Sequence, residues 1–88
     1  MSEEITITLT RHKAFIMCKA LATIEMDGQE IAKLKNGQSI EYKTTKGEHE
    51  FSAKAMSAFS DKKVLDLQDG DTVAVKMFGA GWIITLER

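Results

Sequence analysis

Apolar residues recur at every second position through much of this chain: Ile5, Ile7 and Leu9, then Phe51, Ala53 and Ala55, then Leu65 and Leu67, then Val73, Val75 and Met77, and finally Trp82, Ile84 and Leu86. A period of two belongs to a strand with one buried face. Between the runs stand the turn dipeptides Asp27-Gly28, Asn36-Gly37, Lys46-Gly47 and Asp69-Gly70, and Gly79 and Gly81 bracket the last connection. Glycine after Asp or Asn supplies the left-handed backbone that short hairpin turns demand. The pattern predicts strands over 4–10, 20–26, 30–35, 38–44, 48–56, 63–68, 72–78 and 81–87, with one long connection over 11–19.

Register can be argued from the turns. Two-residue turns at Asp27-Gly28 and Asn36-Gly37 set Glu25 against Glu30 and Leu34 against Ser39, a poor match of charge and polarity. Three-residue loops pair Glu25 with Gln29, Ala22 with Ala32, and Ala32 with Ile40, and make 20–44 a central meander. One face then gathers Ala20, Ala22, Ile24, Ala32, Leu34, Ile40 and Tyr42, while Leu21, Thr23, Ile31, Lys33, Ser39 and Glu41 take the other. A meander with one dry side needs a second sheet to cover it. The expected fold is therefore all-β, an antiparallel two-sheet sandwich, immunoglobulin-like, of about seven to eight strands. Ser52 to Phe59 contains good helix formers, but Glu48 to Ala55 alternates cleanly, so a strand followed by a loop through 57–61 is the reading adopted.

Composition narrows the classes. A chain of 88 residues, 43% hydrophobic and 28% charged, fits one folded domain spanning 1–88. Twelve Lys and Arg against 13 Asp and Glu leave a net charge of −1, so no global field draws in nucleic acid. No apolar run approaches the ~20 residues of a membrane helix, and no membrane span is expected. Cys18 is the single cysteine, which rules out an intrachain disulfide, and the acidic opening Met1 to Ile7 does not read as an export signal. A cytoplasmic location is the expectation.

A strand ending in Arg11, the segment Ala22 to Gly37 with its Asp27-Gly28 turn, and the strand opening Gly47-Glu48-His49-Glu50-Phe51 together resemble the small β-sandwich domains of the PEGA and DUF2846 type. The resemblance covers roughly residues 5 to 55. It implies a sandwich fold and an accessory role in binding or envelope assembly, with no catalytic residues to carry over. The Pro-Glu-Gly-Ala signature that names the first group is absent from the chain.

Candidate chemistry is sparse. His12, His49 and Cys18 lack metal-site spacing, so no metal or cofactor is expected, and His49 reads as a strand-start residue at the core edge, bonded to a turn carbonyl. Asp66, Asp69 and Asp71 sit beside a turn glycine, where Asp bonds turn backbone. The stretch from Arg11 to Lys19 combines three basic residues besides His12 with four apolar ones and no acid. Phe15, Ile16 and Met17 read as a plug for one end of the sandwich; the competing reading makes Arg11, Lys13, Phe15 and Lys19 a partner-binding loop. The closing strand is apolar on both parities, which brings Ile83 in as a self-association residue. The functional expectation is a non-catalytic module, not an enzyme, that binds a protein or peptide. That partner includes a second copy, giving a homodimer through an edge or terminal strand. The alternative is a carbohydrate-binding β-sandwich.

Overall fold

The alternating runs become strands whose inward side chains meet in one apolar layer. The computed structural model describes residues 3–13, 21–55, 58–78 and 81–87. These hold β1 (Glu4–Arg11), β2 (Ala22–Met26), β3 (Gln29–Leu34), β4 (Ser39–Thr45), β5 (Gly47–Ala55), β6 (Ala58–Phe59), β7 (Lys63–Leu67), β8 (Thr72–Phe78) and β9 (Gly81–Glu87). The order β4-β1-β8-β9 makes a four-stranded sheet; β3-β2-β5-β6, with β7 also on β5, makes the second. The protein is an all-β, two-sheet sandwich. One pairing departs from an antiparallel scheme: β1 and β8 run parallel, with Leu9 opposite Val73. Alternation reports which face is buried and is blind to the direction of the neighbouring strand.

Ile5, Ile7 and Leu9 of β1, Ile24 of β2, Leu34 of β3, Phe51 of β5, Leu67 of β7, Val73 and Val75 of β8 and Ile84 of β9 form the core. Full burial of one Leu or Ile contributes about 1.5–3 kcal/mol, so β1, flanked on both sides and buried along its inner face, is the spine of the first sheet. Its outward Thr6, Thr8 and Thr10 remain partly in contact with solvent.

Two expectations about 20–44 are corrected. The Asp27-Gly28 turn is a two-residue one, pairing Met26 with Gln29 and Glu25 with Glu30. Asp27 and Gly28 both take positive φ, 53° and 83°, as a type I′ hairpin turn requires. A bulge then shifts the register, so that Ile24 faces Ala32 and Ala22 faces Leu34. Without that extra residue Lys33 would oppose Ala22 and enter the core. The bulge returns Ala32 and Leu34 to the inner face, and Lys54, 3.7 Å from Glu25, offsets the juxtaposed carboxylates. Apart from the bulge residue Ile31, which packs against the core, the faces of β2 and β3 are those the alternation predicts, reached by different pairs.

The second correction concerns the meander. At Asn36-Gly37 the chain leaves one sheet for the other, and β4 pairs with β1 in seven consecutive positions from Glu4–Thr45 to Thr10–Ser39. The turn itself is closed locally, by Gln38 N–H to the Lys35 carbonyl at 2.9 Å. A hairpin and a crossover thus share the same turn chemistry. The stretch expected as a loop after β5 contributes the short β6, whose Phe59 pairs with Lys54. Of the segment 52–59, the part through Ala55 is strand, and Met56 and Ser57 lie outside the described residues.

Candidate functional site

Of the five residues singled out from sequence, Arg11, Lys13 and Ile83 are described, and Arg11 and Ile83 do not converge. β1 carries Arg11 on the same parity as Leu9, so it points inward, and the side chain is 1% exposed. Its guanidinium donates to the Leu34 carbonyl at 3.0 Å and lies 5.0 Å from the centre of the Trp82 ring. A planar cation on an indole face is a favourable pairing. Arg11 is thus an interior brace tying β1, β3 and β9, which corrects its assignment as a surface contact. Lys13 is exposed, its stem lying against Gly37, where an added Cβ would fall 2.8 Å from Lys13 Cγ. Phe15 and Lys19, with Ile16, Met17 and Cys18, lie outside the described residues. Ile83 stands on the outer face of β9 opposite Lys76, so the sheet separates it from Arg11. It borders a shallow cleft of about 220 Å³ with Asp61, Lys62, Lys63, Trp82 and Ile84.

At the other end of the sandwich sits a polar cluster that sequence reasoning did not assemble. The left-handed turn residue Asp27 accepts the Glu50 N–H on Oδ1 at 2.9 Å, and its Oδ2 lies 2.6 Å from His49 Nδ1. His49 Nε2 is 2.8 Å from the Thr45 carbonyl. The Thr45 hydroxyl, 3.1 Å from Nε2, can donate to a neutral ring, but only the doubly protonated imidazolium donates to both Asp27 and the Thr45 carbonyl. Burial pushes the His49 pKa down, but the hydrogen bond to Asp27, the Thr45 carbonyl and the Asp27 charge together raise it above its ordinary value. The same His49 contact, with the Glu50 amide, lowers the Asp27 carboxyl. The cluster pins the β2–β3 turn to the crossover between β4 and β5. Asp-Gly and Gly-x-His, read separately along the chain, are two halves of one clasp.

The aspartates at the β7–β8 connection also bind backbone. Asp69 Oδ1 accepts the Thr6 N–H at 2.9 Å and Asp71 Oδ2 accepts the Gln68 N–H at 2.8 Å. Among the described residues no three His, Cys, Asp or Glu side chains gather as metal ligands would, and no helix is long and apolar enough to cross a membrane.

The two flanks of the sandwich differ. On one, Ser60 bridges to Trp82, and Lys63 Nζ donates to the Ile84 carbonyl at 3.0 Å. The Phe59 carbonyl approaches so closely that a Cβ on Gly81 would meet it at 3.0 Å. These contacts cover the edge of β9 around Trp82 and Ile84, although β9 remains the terminal strand of its sheet. On the other flank β3 and β4 are the outermost strands of their sheets. Ile31, Ala32, Ile40 and Tyr42 are only partly buried there, a half-open apolar seam between two edges.

Backbone parity identifies the free groups of β4. The bonds Arg11 N–H to the Gln38 carbonyl and Lys46 N–H to the Glu3 carbonyl mark the even-numbered residues as bonded to β1. Ser39, Glu41, Lys43 and Thr45 consequently aim their N–H and C=O groups away from the sheet. The Thr45 carbonyl is taken by His49; among the described residues no strand pairs with the rest. The signal for this edge lay in the sequence as the alternation Ser39-Ile40-Glu41-Tyr42-Lys43, which fixes faces and leaves open which strand lies outermost.

Compared with known proteins, the chain matches no family model, no curated protein and no solved structure.

Proposed function

We propose that this chain is a non-catalytic binding or assembly module that takes a protein or peptide partner by strand addition on the flank formed by β3 and β4. The open flank carries the reading: it couples β4 backbone with no strand partner among the described residues to partly exposed Ile31, Ala32, Ile40 and Tyr42. Strand addition draws affinity from main-chain hydrogen bonds and specificity from alternate side chains, and this flank supplies both. The polar clusters support the same reading, because Arg11 and the Asp27–His49 clasp spend their hydrogen bonds on backbone carbonyls and amides rather than aiming at an opening. The likeness to small accessory sandwich domains points the same way. A sugar-binding face would present several flat aromatics together, whereas Trp82 and Phe51 are interior and, among the described side chains, Phe59 is the only mostly exposed aromatic.

The test is selection from a displayed library of random extended peptides against the folded chain, followed by Lys43→Pro. Proline there deletes an N–H that faces outward and leaves every β1–β4 bond intact. Selected peptides should carry alternating apolar residues and lose about tenfold or more in affinity for Lys43→Pro, the equivalent of one hydrogen bond or more. Peptides that bind the variant equally well would move the site off this flank and overturn the reading.

A further inference from the structure

The two outermost strands on the open flank, unpaired among the described residues, are not equivalent. β3 carries the bulge residue Ile31, and a bulge twists an edge and interrupts its ladder. β4 is regular over seven consecutive pairs with β1. We infer that β4 pairs antiparallel with β4 of a second copy about a two-fold axis at Tyr42, joining the two four-stranded sheets into one. The inference rests on the open flank proposed above and names its occupant.

Backbone parity and charge select this register together. Because odd-numbered residues present their N–H and C=O groups outward, two copies exchange hydrogen bonds only when odd residues oppose odd residues. Four two-fold registers satisfy that condition near the strand centre. An axis at Glu41 opposes Glu41 to itself, and an axis at Lys43 opposes Lys43 to itself; like charges directly across a ladder are destabilising. An axis at Ile40 shortens the overlap and sets Glu41 against Ser39. The axis at Tyr42 sets Glu41 against Lys43 of the other copy, twice by symmetry, and Ser39 against Thr45. It gives the longest overlap of the four and the only mutual neutralisation of charge.

The side chains on the other parity agree. At the axis the two Tyr42 rings would meet across a non-hydrogen-bonded pair, where the backbones approach most closely, with Ile40 against Thr44 on either side. These residues are among those left partly exposed on the inner face of the edge. A single Glu or Lys on an edge blunts it against chance partners. Spaced two apart with opposite sign, the same pair also selects its own copy in one register.

Charge reversal tests this by light scattering or sedimentation at ~1 mM protein, a concentration that populates even millimolar self-association. The wild type should approach twice the 9.8 kDa chain mass. Glu41→Lys and Lys43→Glu should each weaken association by about tenfold or more, since each turns both cross-axis pairs repulsive. The double exchange Glu41→Lys with Lys43→Glu should restore the dimer, and an equimolar mixture of the two single variants should give a heterodimer. Circular dichroism on each variant confirms the fold, and the mixture serves if the double variant fails to fold. A monomeric wild type overturns self-pairing and leaves peptide capture to be judged by its own assay. A dimer indifferent to both single reversals overturns the β4 register.

Discussion

Replacing His49 by Gln should remove a share of stability that depends on pH. The imidazole stands between Asp27 Oδ2 at 2.6 Å and the Thr45 carbonyl at 2.8 Å, and a neutral ring has one N–H for two acceptors. Hydrogen bonds to a charged group are worth about 1.5–3 kcal/mol each. The Asp27 side chain is 51% exposed and water competes for it, so a discounted figure of about 1–2 kcal/mol for the cationic clasp is appropriate. In a domain of this size 1 kcal/mol moves the melting temperature by about 4–8 °C, and His49→Gln should therefore melt about 4–16 °C lower at mildly acidic pH. The His49 pKa is raised above 6.5, so its contribution is complete below that value and is lost as pH climbs through the raised one. The Asp27 pKa is lowered below 3.8, so its contribution is present above 3.8 and is lost as pH falls through the lowered value. The gap between wild type and variant should be widest between those limits and narrow on the alkaline side. Thermal melts followed by circular dichroism from about pH 5 to 9, in a His12→Gln background that leaves His49 the remaining histidine, give the profile. A gap that stays constant or widens at high pH would refute a cationic His49.

Arg11→Ala should cost about 3 kcal/mol or more in urea denaturation, because it deletes a buried charged hydrogen bond to Leu34 and the stem that covers Trp82; a loss below about 1 kcal/mol would return Arg11 to the surface. Ile83→Lys should leave the protein folded and its association state unchanged, with a loss under about 1 kcal/mol, since Ile83 is a partly exposed outer-face residue beside an edge partly covered by Ser60 and Lys63. A wild-type dimer that Ile83→Lys dissociates would move the interface from β4 to β9.

Faces were legible from the sequence and neighbours were not. Ile5, Ile7 and Leu9, or Val73 and Val75, declare an inner surface by their period, and turn glycines mark where each strand stops. The period contains nothing about which strand lies alongside. Asn36-Gly37 closes the same local turn whether the next strand returns beside β3 or crosses to the other sheet, and the crossover is decided by distant residues of β1. The unfavourable Glu25–Glu30 pair misled for a related reason: its relief comes from Lys54 on β5, remote in sequence. Arg11 looked like a surface cation because the ring that receives it, Trp82, is supplied by the last strand. The Asp27–His49 clasp had both members in plain view, each in a turn motif, and only the sandwich geometry brings them within hydrogen-bond reach.

The parallel seam between β1 and β8 sets the order in which the protein can be made. Leu9 and Val73 oppose each other, so β1 waits for a strand far downstream of it in the chain. Closing so long a loop adds little to the equilibrium cost, because that cost grows only with the logarithm of length, yet it slows the search. The β2–β3 hairpin and the β5–β7 pair can zip from residues near each other in the chain. β1 can find β4 next, but its other edge, from Thr8 to Arg11, stays bare until the β8–β9 hairpin docks. A nascent or truncated chain ending before Thr72 therefore presents a bare strand edge to its surroundings. The period before β8 arrives is when this small protein is most exposed to aggregation and to chaperone capture.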